Sequence, residues 1–251
     1  MEEKIKVIAR VTDRVGLETL DSIALADRFN RWMYETVSQG MAGEILEIGS
    51  GIGNISVYFV ENRHSVSLSD MRREYCDFLY QKFKGQSNLK SVYQIDVVDP
   101  NFDNKHRRLF ETFDVVFALN IIEHVENDDQ AIKNCLKLLK EGGLLVILVP
   151  AFMSLFNGFD EVLGHYRRYT RKSLEQRFLV NNVRLIKSRY FNFAGILGWW
   201  FSGSVMKKKN IPSGQMKVFN TLVWAFKIVD FFTRRFAGLS VIVSGKKRFN
   251  E

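Results

Sequence analysis

The chain has few cysteines and prolines, and it offers no segment suited to crossing a bilayer. It contains two cysteines and three prolines in 251 residues. Cys76 and Cys135 are isolated thiols, which make neither a disulfide framework nor a zinc site and so indicate a reducing compartment. The uncharged stretch 190–206 is shorter than the roughly 20 apolar residues that a membrane-spanning helix requires. We therefore predict neither a disulfide-rich secreted domain nor a transmembrane helix.

The N-terminus lacks the basic and then apolar pattern of a secretory signal, because Met1-Glu2-Glu3-Lys4 leads into a charged segment. The N-terminal sequence and the two isolated cysteines predict a cytoplasmic location. Association with the inner face of the membrane is a further expectation. Acidic residues are scarce only in residues 192–251, where ten Lys or Arg stand against Asp230 and Glu251. The net charge of +8 therefore belongs to the C-terminal quarter.

The size and composition predict one folded domain with an appendage. At 251 residues and 46% hydrophobic content, the chain can bury a full core, which excludes a disordered or fibrous protein. We expect four segments: an N-terminal helical cap (1–40), an α/β core (41–191), a hydrophobic and basic helical insertion (192–238), and a last core strand with its tail (239–251).

The most informative stretch is 44–54, an apolar run that breaks into glycines at alternate positions, Gly49, Gly51 and Gly53. It predicts a buried strand, a tight turn that lets a ligand approach the backbone, and a helix that follows directly. A dinucleotide site spaces its glycines G-x-G-x-x-G, whereas Asn54 stands at the third glycine position here. The spacing argues against a pyrophosphate site.

Apolar runs alternate with helical patterns through the rest of the core. Predicted strands at 65–70, 89–95, 113–120, 144–149, 183–191 and 239–244 alternate with helices, which is typical of a doubly wound, mostly parallel sheet of an α/β protein. Ligands bind such sheets at the carboxyl ends of the strands. Asp70, 19 residues after Gly51, can accept hydrogen bonds from both ribose hydroxyls, Met71 can lie on the adenine, and Asn120 ends the fourth strand.

The glycine pattern with Glu47 two positions before it resembles the nucleoside-binding signature of the class I S-adenosylmethionine-dependent methyltransferases. The resemblance implies a Rossmann-like sheet of seven strands and S-adenosyl-L-methionine as cofactor. It also implies that Asp96 holds the adenine amino group and that Val97 packs on the ring. The predicted cofactor-binding residues are Glu47, Gly49, Ser50, Gly51, Gly53, Asn54, Asp70, Met71, Asp96, Val97 and Asn120.

Three further stretches resemble one bacterial subgroup of that family: 119–125, 159–170 with its Gly-His-Tyr-Arg-Arg-Tyr segment, and 191–200. The segment after the fifth strand is where the acceptor is expected. We predict His165, Tyr166 and His124 as catalytic candidates and Arg167, Arg168 and Tyr169 as acceptor-binding candidates. A local alternative explains the same residues: Thr170 caps the next helix, and the two arginines pair with acids on the surface.

Two other segments each have two alternatives. Residues 16–39 show two helical patterns broken near 27–30, and Trp32 or Tyr34 either touch the cofactor or pack in the core. The insertion, with Trp199-Trp200 and Lys207-Lys208-Lys209, suits either a membrane surface or a cap that packs on the sheet or on a second copy in a homodimer.

We therefore expect a methyltransferase that acts on an oxygen or nitrogen of a small or lipid-linked acceptor. Methyl transfer from a sulfonium requires alignment and exclusion of water, and no metal is predicted. A nicotinamide-dependent oxidoreductase and a non-catalytic adaptor that retains the nucleoside pocket are the alternatives. Nucleic acid is not an expected partner, since no recognition motif accompanies the basic residues.

Overall fold

The structure is a computed structural model that describes residues 14–207 and 213–249. Its single large sheet has seven strands. They are β1 (Ile45–Ile48), β2 (Val66–Asp70), β3 (Leu89–Gln94), β4 (Phe113–Leu119), β5 (Leu139–Pro150), β6 (Val183–Phe191) and β7 (Ser240–Lys247).

Helices fill most of the connections between these strands. They are α1 (Arg14–Ala24), α2 (Asp27–Val37), α3 (Ser56–Glu61), α4 (Arg73–Phe83), α5 (Phe102–His106), α6 (Asp128–Leu138), α7 (Gly158–Leu163), α8 (Arg171–Val180), α9 (Ala194–Trp199) and α10 (Ser213–Thr233). A short 3-10 turn over Ile122–His124 follows β4, and a π-helical turn over Trp200–Val205 continues α9.

The strand order is β3-β2-β1-β4-β5-β7-β6. Only β7 runs against its neighbours, since it pairs antiparallel with both β5 and β6. The carboxyl ends of β1 to β5 therefore lie along one edge of the sheet, which is where this arrangement places a ligand. The predicted fold, a doubly wound, mostly parallel sheet of the Rossmann-like methyltransferase type, is confirmed.

Both faces of the sheet are covered, as the nearly continuous apolar strands predict. Successive residues of β4 alternate between two buried clusters, with Val116 and Ala118 in one and Val115 and Phe117 in the other. Burial on both sides fixes the register of the strands, because a shift of one residue would exchange the two faces.

The leader forms two helices, and the break between them lies at Leu25 and Ala26 rather than at 27–30. Trp32 packs on Phe191 with ring centroids 4.5 Å apart, and Tyr34 packs edge-on against Phe59 at 4.9 Å. The core-packing alternative for Trp32 and Tyr34 is therefore the one that the structure supports.

The insertion is helical over the residues that the structure describes. Its long helix α10 packs on α2, where Phe219 meets Phe29 at 5.5 Å and Lys227 donates to Glu35 at 2.6 Å. No helix in residues 14–207 and 213–249 combines the length and apolar character needed to cross a bilayer. Lys208 and Lys209 lie outside the described residues, and the four predicted segment boundaries stay predictions.

Candidate active site

The turn after β1 has the backbone geometry that its glycines predict. Gly49, Gly51 and Gly53 have φ values of 71°, 55° and 76°, a region that residues with a Cβ rarely adopt. Ser50 ties the turn to β2, because its N–H donates to Ser69 O at 2.7 Å. The glycines thus let the chain reverse sharply between β1 and α3 at the carboxyl edge of the sheet.

The three glycines differ in what lies beside them. A Cβ at Gly49 would meet Ile121 Cδ1 at 2.1 Å, and one at Gly53 would meet Phe83 Cε2 at 2.9 Å. At Gly51 the nearest atom, Leu20 Cδ1 of α1, would be 3.1 Å away. The space beside Gly49 and Gly53 is therefore filled by the protein itself, which gives these two a packing role in addition to the predicted one.

Asp70 ends β2 and faces the glycine turn. Its Oδ2 accepts a hydrogen bond from the Gly51 N–H at 3.0 Å, and its Oδ1 accepts from the Arg72 N–H at 3.0 Å. Burial raises the pKa of this carboxyl, although the two N–H groups act in the opposite direction. Each carboxylate oxygen has a second lone pair, so Asp70 can still accept hydrogen bonds from a ligand.

Glu47 lies beneath the turn on β1 and is fully buried. The Ser56 hydroxyl donates to its Oε2, and burial raises its pKa from 4.5 to about 7 against the lowering effects of Ser56, Ser50 and Lys82. The Lys82 ammonium donates to Ile52 O at 2.8 Å and so joins α4 to the same turn. Near neutral pH Glu47 is thus balanced between its charged and neutral forms.

The other predicted cofactor residues occupy the same edge with different exposures. Asp96 follows β3, is half-buried, and accepts from the Val98 N–H at 3.0 Å. Val97 is buried in the core, and Met71 is exposed. Asn120 is exposed after β4, with a φ of 54°.

Two of these placements alter the predicted roles. Val97 packs with the core beneath the edge of the sheet, so the structure shows it as a core residue. Asn54 uses its side-chain amide to donate to Leu20 O at 2.8 Å, which attaches α1 to the glycine turn. Leu17 of α1, Ile52 of the turn and Tyr75 of α4 form a small buried cluster there. The leader therefore covers the turn through α1 and not through Trp32 or Tyr34.

A second group of polar residues lies beyond β4 and β5 and centres on Asp160. This carboxylate, which is 0% exposed, accepts from Arg168 Nε at 2.8 Å, from Arg168 Nη2 at 3.1 Å and from the Asn157 N–H at 2.9 Å. His165 Nδ1 lies 2.7 Å from Asp160 Oδ1. These hydrogen bonds and the Arg168 charge outweigh burial and lower the pKa of Asp160.

The structure corrects the prediction that Arg168 binds the acceptor. Its guanidinium is buried, donates to Asp160 and to Ala151 O, and lies 4.7 Å over the ring of Trp199. A guanidinium held by these partners is not available to bind a ligand. The local alternative for Arg168 was wrong in one respect too, because its acid partner is buried rather than on the surface.

Tyr169 is likewise committed within the protein, since its hydroxyl donates to Asp128 Oδ2 at 2.8 Å. Arg167 donates to Glu126 O at 2.7 Å and pairs with the same carboxylate of Asp128 at 3.2 Å. Thr170 accepts from the Ser173 N–H in a capping box at the start of α8, as the local alternative predicted. Tyr166 stays open to solvent, and its role stays a prediction.

The predicted histidines are brought together. The rings of His124 and His165 meet edge-on with centroids 4.6 Å apart. Glu123, which is 0% exposed, lies beside them, and its backbone carbonyl accepts from the Tyr166 N–H at 2.8 Å. Burial raises the pKa of Glu123 from 4.5 to about 8, and the Arg168 charge opposes this effect. His64 and His106 lie in other connections.

Sequence reasoning missed two residues that organise the second group. Asp160 was passed over, although Asn157 three positions earlier forms with it an N-terminal capping pattern that is visible in the sequence. Glu123 was included only within the stretch 119–125 and was given no role of its own. No sequence pattern relates Glu123 to His165, because the fold alone brings residues so far apart in the chain into contact.

Comparison with known proteins agrees with this geometry. Residues 46–145, which include most of β1, all of β2 to β4 and the start of the apolar part of β5, match the methyltransferase domain family. The ubiquinone biosynthesis O-methyltransferase of Glaesserella parasuis is 29% identical over 133 residues, an alignment that covers 50% of this chain and 56% of that protein. The chain thus spans about half the length of the curated O-methyltransferases that it matches.

Solved structures share the fold at low sequence identity. Haemonchus contortus phosphoethanolamine N-methyltransferase 2 in complex with S-adenosyl-L-methionine aligns with a TM-score of 0.60 and 15% identity over 94% of this chain and 59% of that chain. A SAM-dependent methyltransferase from Archaeoglobus fulgidus aligns with a TM-score of 0.56 and 17% identity over 88% and 92%. Residues 46–145 are therefore similar to a methyltransferase domain, and the chain shares the fold of these solved methyltransferases.

Proposed function

We propose that this protein transfers a methyl group from S-adenosyl-L-methionine to an oxygen or nitrogen of a small or lipid-linked acceptor. The observation that carries the proposal is the pairing of the Gly51 N–H with the buried Asp70 carboxylate at 3.0 Å. It joins a glycine-rich turn to an acid at the adjacent strand end, within the residues that match the methyltransferase domain family. A nucleoside with a free ribose is the ligand that suits this pair.

The chain's own residues fit the cofactor. Gly51 is buried beside Leu20 of α1, so a ligand would reach its backbone by displacing that side chain. Asp70 retains acceptor positions for the ribose hydroxyls, and Asp96 at the next strand end can accept from the adenine amino group. The bound cofactor supplies the electrophilic methyl group. The task of the protein is to hold the acceptor in line with it and to exclude water.

We place the acceptor over the ends of β4 and β5. His124 and Tyr166 are exposed there, and His165 stands directly behind His124. Because Asp160 is an anion that already accepts from Arg168, we assign the proton of neutral His165 to Nδ1, which leaves Nε2 unprotonated. The histidine pair is thus the group best suited to take a proton from an acceptor hydroxyl. The relatives whose names specify O-methylation favour oxygen as the acceptor atom.

The lipid-linked option rests on the surface of the insertion. A row of large apolar side chains is exposed on α9, on the π-helical turn and on α10, including Leu197, Trp200, Phe201, Trp224, Ile228, Phe231 and Phe232. Exposed aromatic residues beside an excess of Lys and Arg suit the headgroup region of an anionic leaflet. This surface would bring the protein to an acceptor held in a membrane.

Titration calorimetry tests the cofactor assignment. We expect the protein to bind S-adenosylmethionine and S-adenosylhomocysteine but not NADH, and D70N to weaken binding at least tenfold because it removes the charge that accepts from the ribose. The matched control is D77N, since Asp77 is an exposed acid of α4 that pairs only with Arg73 among the described residues. Binding of NADH in preference to S-adenosylmethionine would support the oxidoreductase alternative instead.

Methyl transfer itself is tested with cofactor labelled in its methyl group. The labelled cofactor and the protein are incubated with fractionated extract of the host, and the labelled species is identified by mass spectrometry. We expect a labelled small molecule or lipid. Cofactor binding without any labelled product would favour the adaptor alternative.

A further inference from the structure

Glu123 is an acidic residue whose carboxylate is buried in the protein interior. Its side chain is 0% exposed, and neither carboxylate oxygen has a hydrogen-bond partner among the described residues. An unpaired polar group in a protein interior is costly, and a buried carboxylate usually has a partner or binds a cation. The Arg168 guanidinium nearby is occupied by Asp160 and Ala151 O. The two oxygens of Glu123 are therefore available to a ligand.

Two imidazoles stand next to this carboxylate. One donor atom each from Glu123, His124 and His165 lies within 4.8 Å of the other two. The side chain of His165 is 5% exposed, and its Nδ1 is engaged by Asp160 at 2.7 Å. A carboxylate that accepts from one ring nitrogen of a histidine is the usual outer partner of a histidine whose other nitrogen binds a metal, because it fixes the tautomer and the ring orientation.

We propose that Glu123, His124 and His165 bind a divalent transition-metal ion, with Asp160 as the outer partner of His165. Two imidazoles and one carboxylate form a ligand set found in catalytic zinc sites, which leave at least one position for water or substrate. Bonds of about 2.0–2.2 Å require the donors to move closer together, which rotation of the exposed His124 side chain can achieve. This assignment revises the expectation from sequence that the chain uses no metal.

The position of the site gives the ion a role in the reaction, and this role rests on the proposed function. The three ligands lie beyond β4 and β5, where we place the acceptor. With both imidazoles bound to the ion, the ion replaces the histidine pair in activating the acceptor: a hydroxyl bound to it would lose its proton to water more readily, since a metal ion lowers the pKa of an oxygen ligand. The oxygen would then form the new bond to the methyl carbon, while sulfur keeps the electron pair of the bond that breaks. Metal binding is measured without any acceptor, so the two proposals fail separately.

The direct test is zinc binding by the full chain after removal of metal with a chelator. Titration calorimetry with zinc chloride and elemental analysis of the dialysed protein should give one zinc per chain. We expect H124A, H165A and E123Q each to weaken zinc binding at least tenfold. The matched controls are H106Q, which alters a histidine of another connection, and C76S, which removes a thiol outside the cluster; both should bind zinc like the wild type.

Substitution of cobalt for zinc gives a second measurement that does not depend on affinity. We expect visible absorption bands of a low-coordinate cobalt site in the wild type and their loss in H124A. His124 is exposed, so H124A is the variant least disruptive to folding. Circular dichroism of the metal-free proteins checks that H124A is folded like the wild type. Absence of stoichiometric zinc binding in the wild type would overturn the proposal. Zinc binding of equal affinity in all three ligand variants would also overturn it, because the ion would then lie elsewhere.

Discussion

At the scale of single residues, the glycine turn shows that a backbone requirement and a packing requirement can coincide. Gly49 and Gly85 share a left-handed backbone, with φ values of 71° and 88°. They differ in their surroundings, because a Cβ at Gly49 would overlap Ile121 whereas nothing lies within 4 Å of one at Gly85. The pair therefore separates the cost of backbone strain from the cost of steric overlap.

We expect G49A to destabilise the protein more than G85A. Both variants place alanine in a left-handed conformation, at a cost of roughly 1–2 kcal/mol. G49A in addition forces Ile121 to move, which costs about 1–3 kcal/mol as overpacking does elsewhere. Urea unfolding monitored by circular dichroism measures the difference in midpoint. Equal midpoints would mean that Ile121 and the loop after β4 move to accommodate the alanine without a measurable loss of stability.

Glu47 predicts a pH dependence of stability that its substitution removes. Its pKa is about 7 in the folded protein against 4.5 for an ordinary glutamate. Between these values the folded state holds a proton that the unfolded state has lost, so the free energy of unfolding falls as pH rises. The stabilisation is complete below pH 4.5 and lost above pH 7, on the order of 3 kcal/mol in total.

E47Q keeps the shape of the side chain and cannot titrate. We therefore expect a flatter dependence of the unfolding free energy on pH between 5 and 7 in E47Q than in the wild type, measured by urea unfolding at half-unit intervals. Asp70 and Glu123 contribute slopes of the same sign to both proteins, so the difference between the two curves isolates Glu47. Parallel curves would show that the buried carboxyl titrates normally.

Local sequence patterns identify residues of the glycine turn and of the strand end beside it more readily than the residues grouped around Asp160. Gly51 and Asp70 were recognisable because a turn and a strand end each have a local pattern, and the fold brings them into contact. The commitment of Arg168 to Asp160 has no such pattern, since a basic residue in a loop has the same sequence appearance whether it is paired or open. The grouping of Glu123 with His165 depends on tertiary structure alone.

At the scale of elements, helix α1 acts as a cover for the glycine turn. It is attached by the Asn54 amide to Leu20 O and by contact of Leu17 with Ile52 and Tyr75. A helix of this length is marginal in isolation, so its stability comes from this contact. Whatever binds at the turn should therefore change the stability of α1.

Hydrogen exchange measures this coupling. We expect the amides of Arg14–Ala24 to exchange several-fold more slowly when S-adenosylhomocysteine is bound, because the ligand adds contacts beneath the helix. Helix α8, which packs on β6 and β7, is the internal control and should exchange at an unchanged rate. Identical exchange of Arg14–Ala24 with and without the ligand would show that this helix does not contribute to the site.

Element boundaries were predicted where a local signal was clear. Strand β6 has the predicted ends, Val183 and Phe191. Strand β5 begins at Leu139, earlier than the predicted start at 144, and Gly142-Gly143 lies inside the strand. The pairing of β4 with β5 shifts register at this point, between Phe113 and Val115. Glycine in a strand marks such an irregularity as well as a helix end, and the sequence does not separate the two.

At the scale of the whole molecule, many of the exposed large apolar side chains belong to the insertion. The insertion carries exposed aromatic residues along α10, of which Trp224 is 66% exposed. Its inner residues Phe219 and Val223 contact the core cluster that contains Trp32. Helix α10 is thus apolar both on the face that packs on the core and on the face exposed to solvent. An ordinary surface helix carries polar residues on its solvent-exposed face.

We expect the protein to float with anionic phosphatidylglycerol vesicles and not with neutral phosphatidylcholine vesicles. The double variant W224S/F232S should reduce binding at least tenfold because it removes two exposed aromatic anchors. F249S, which alters an exposed aromatic residue after β7, is the control. Raising the salt concentration should weaken binding, since the attraction is partly electrostatic. Flotation in neither kind of vesicle, together with dimers in solution, would favour the homodimer alternative.

The attachment of the insertion has a consequence for how relatives diversify. Phe191 and Ser240 are paired across β6 and β7, so the chain leaves the sheet and re-enters it at neighbouring positions. The ends of the excursion are only about 5 Å apart, the ordinary strand spacing. Residues between them can be lengthened, shortened or exchanged without altering the register of either strand. This position of the fold therefore tolerates insertions of different length and sequence. Such changes can alter localisation or binding specificity while the sheet stays the same.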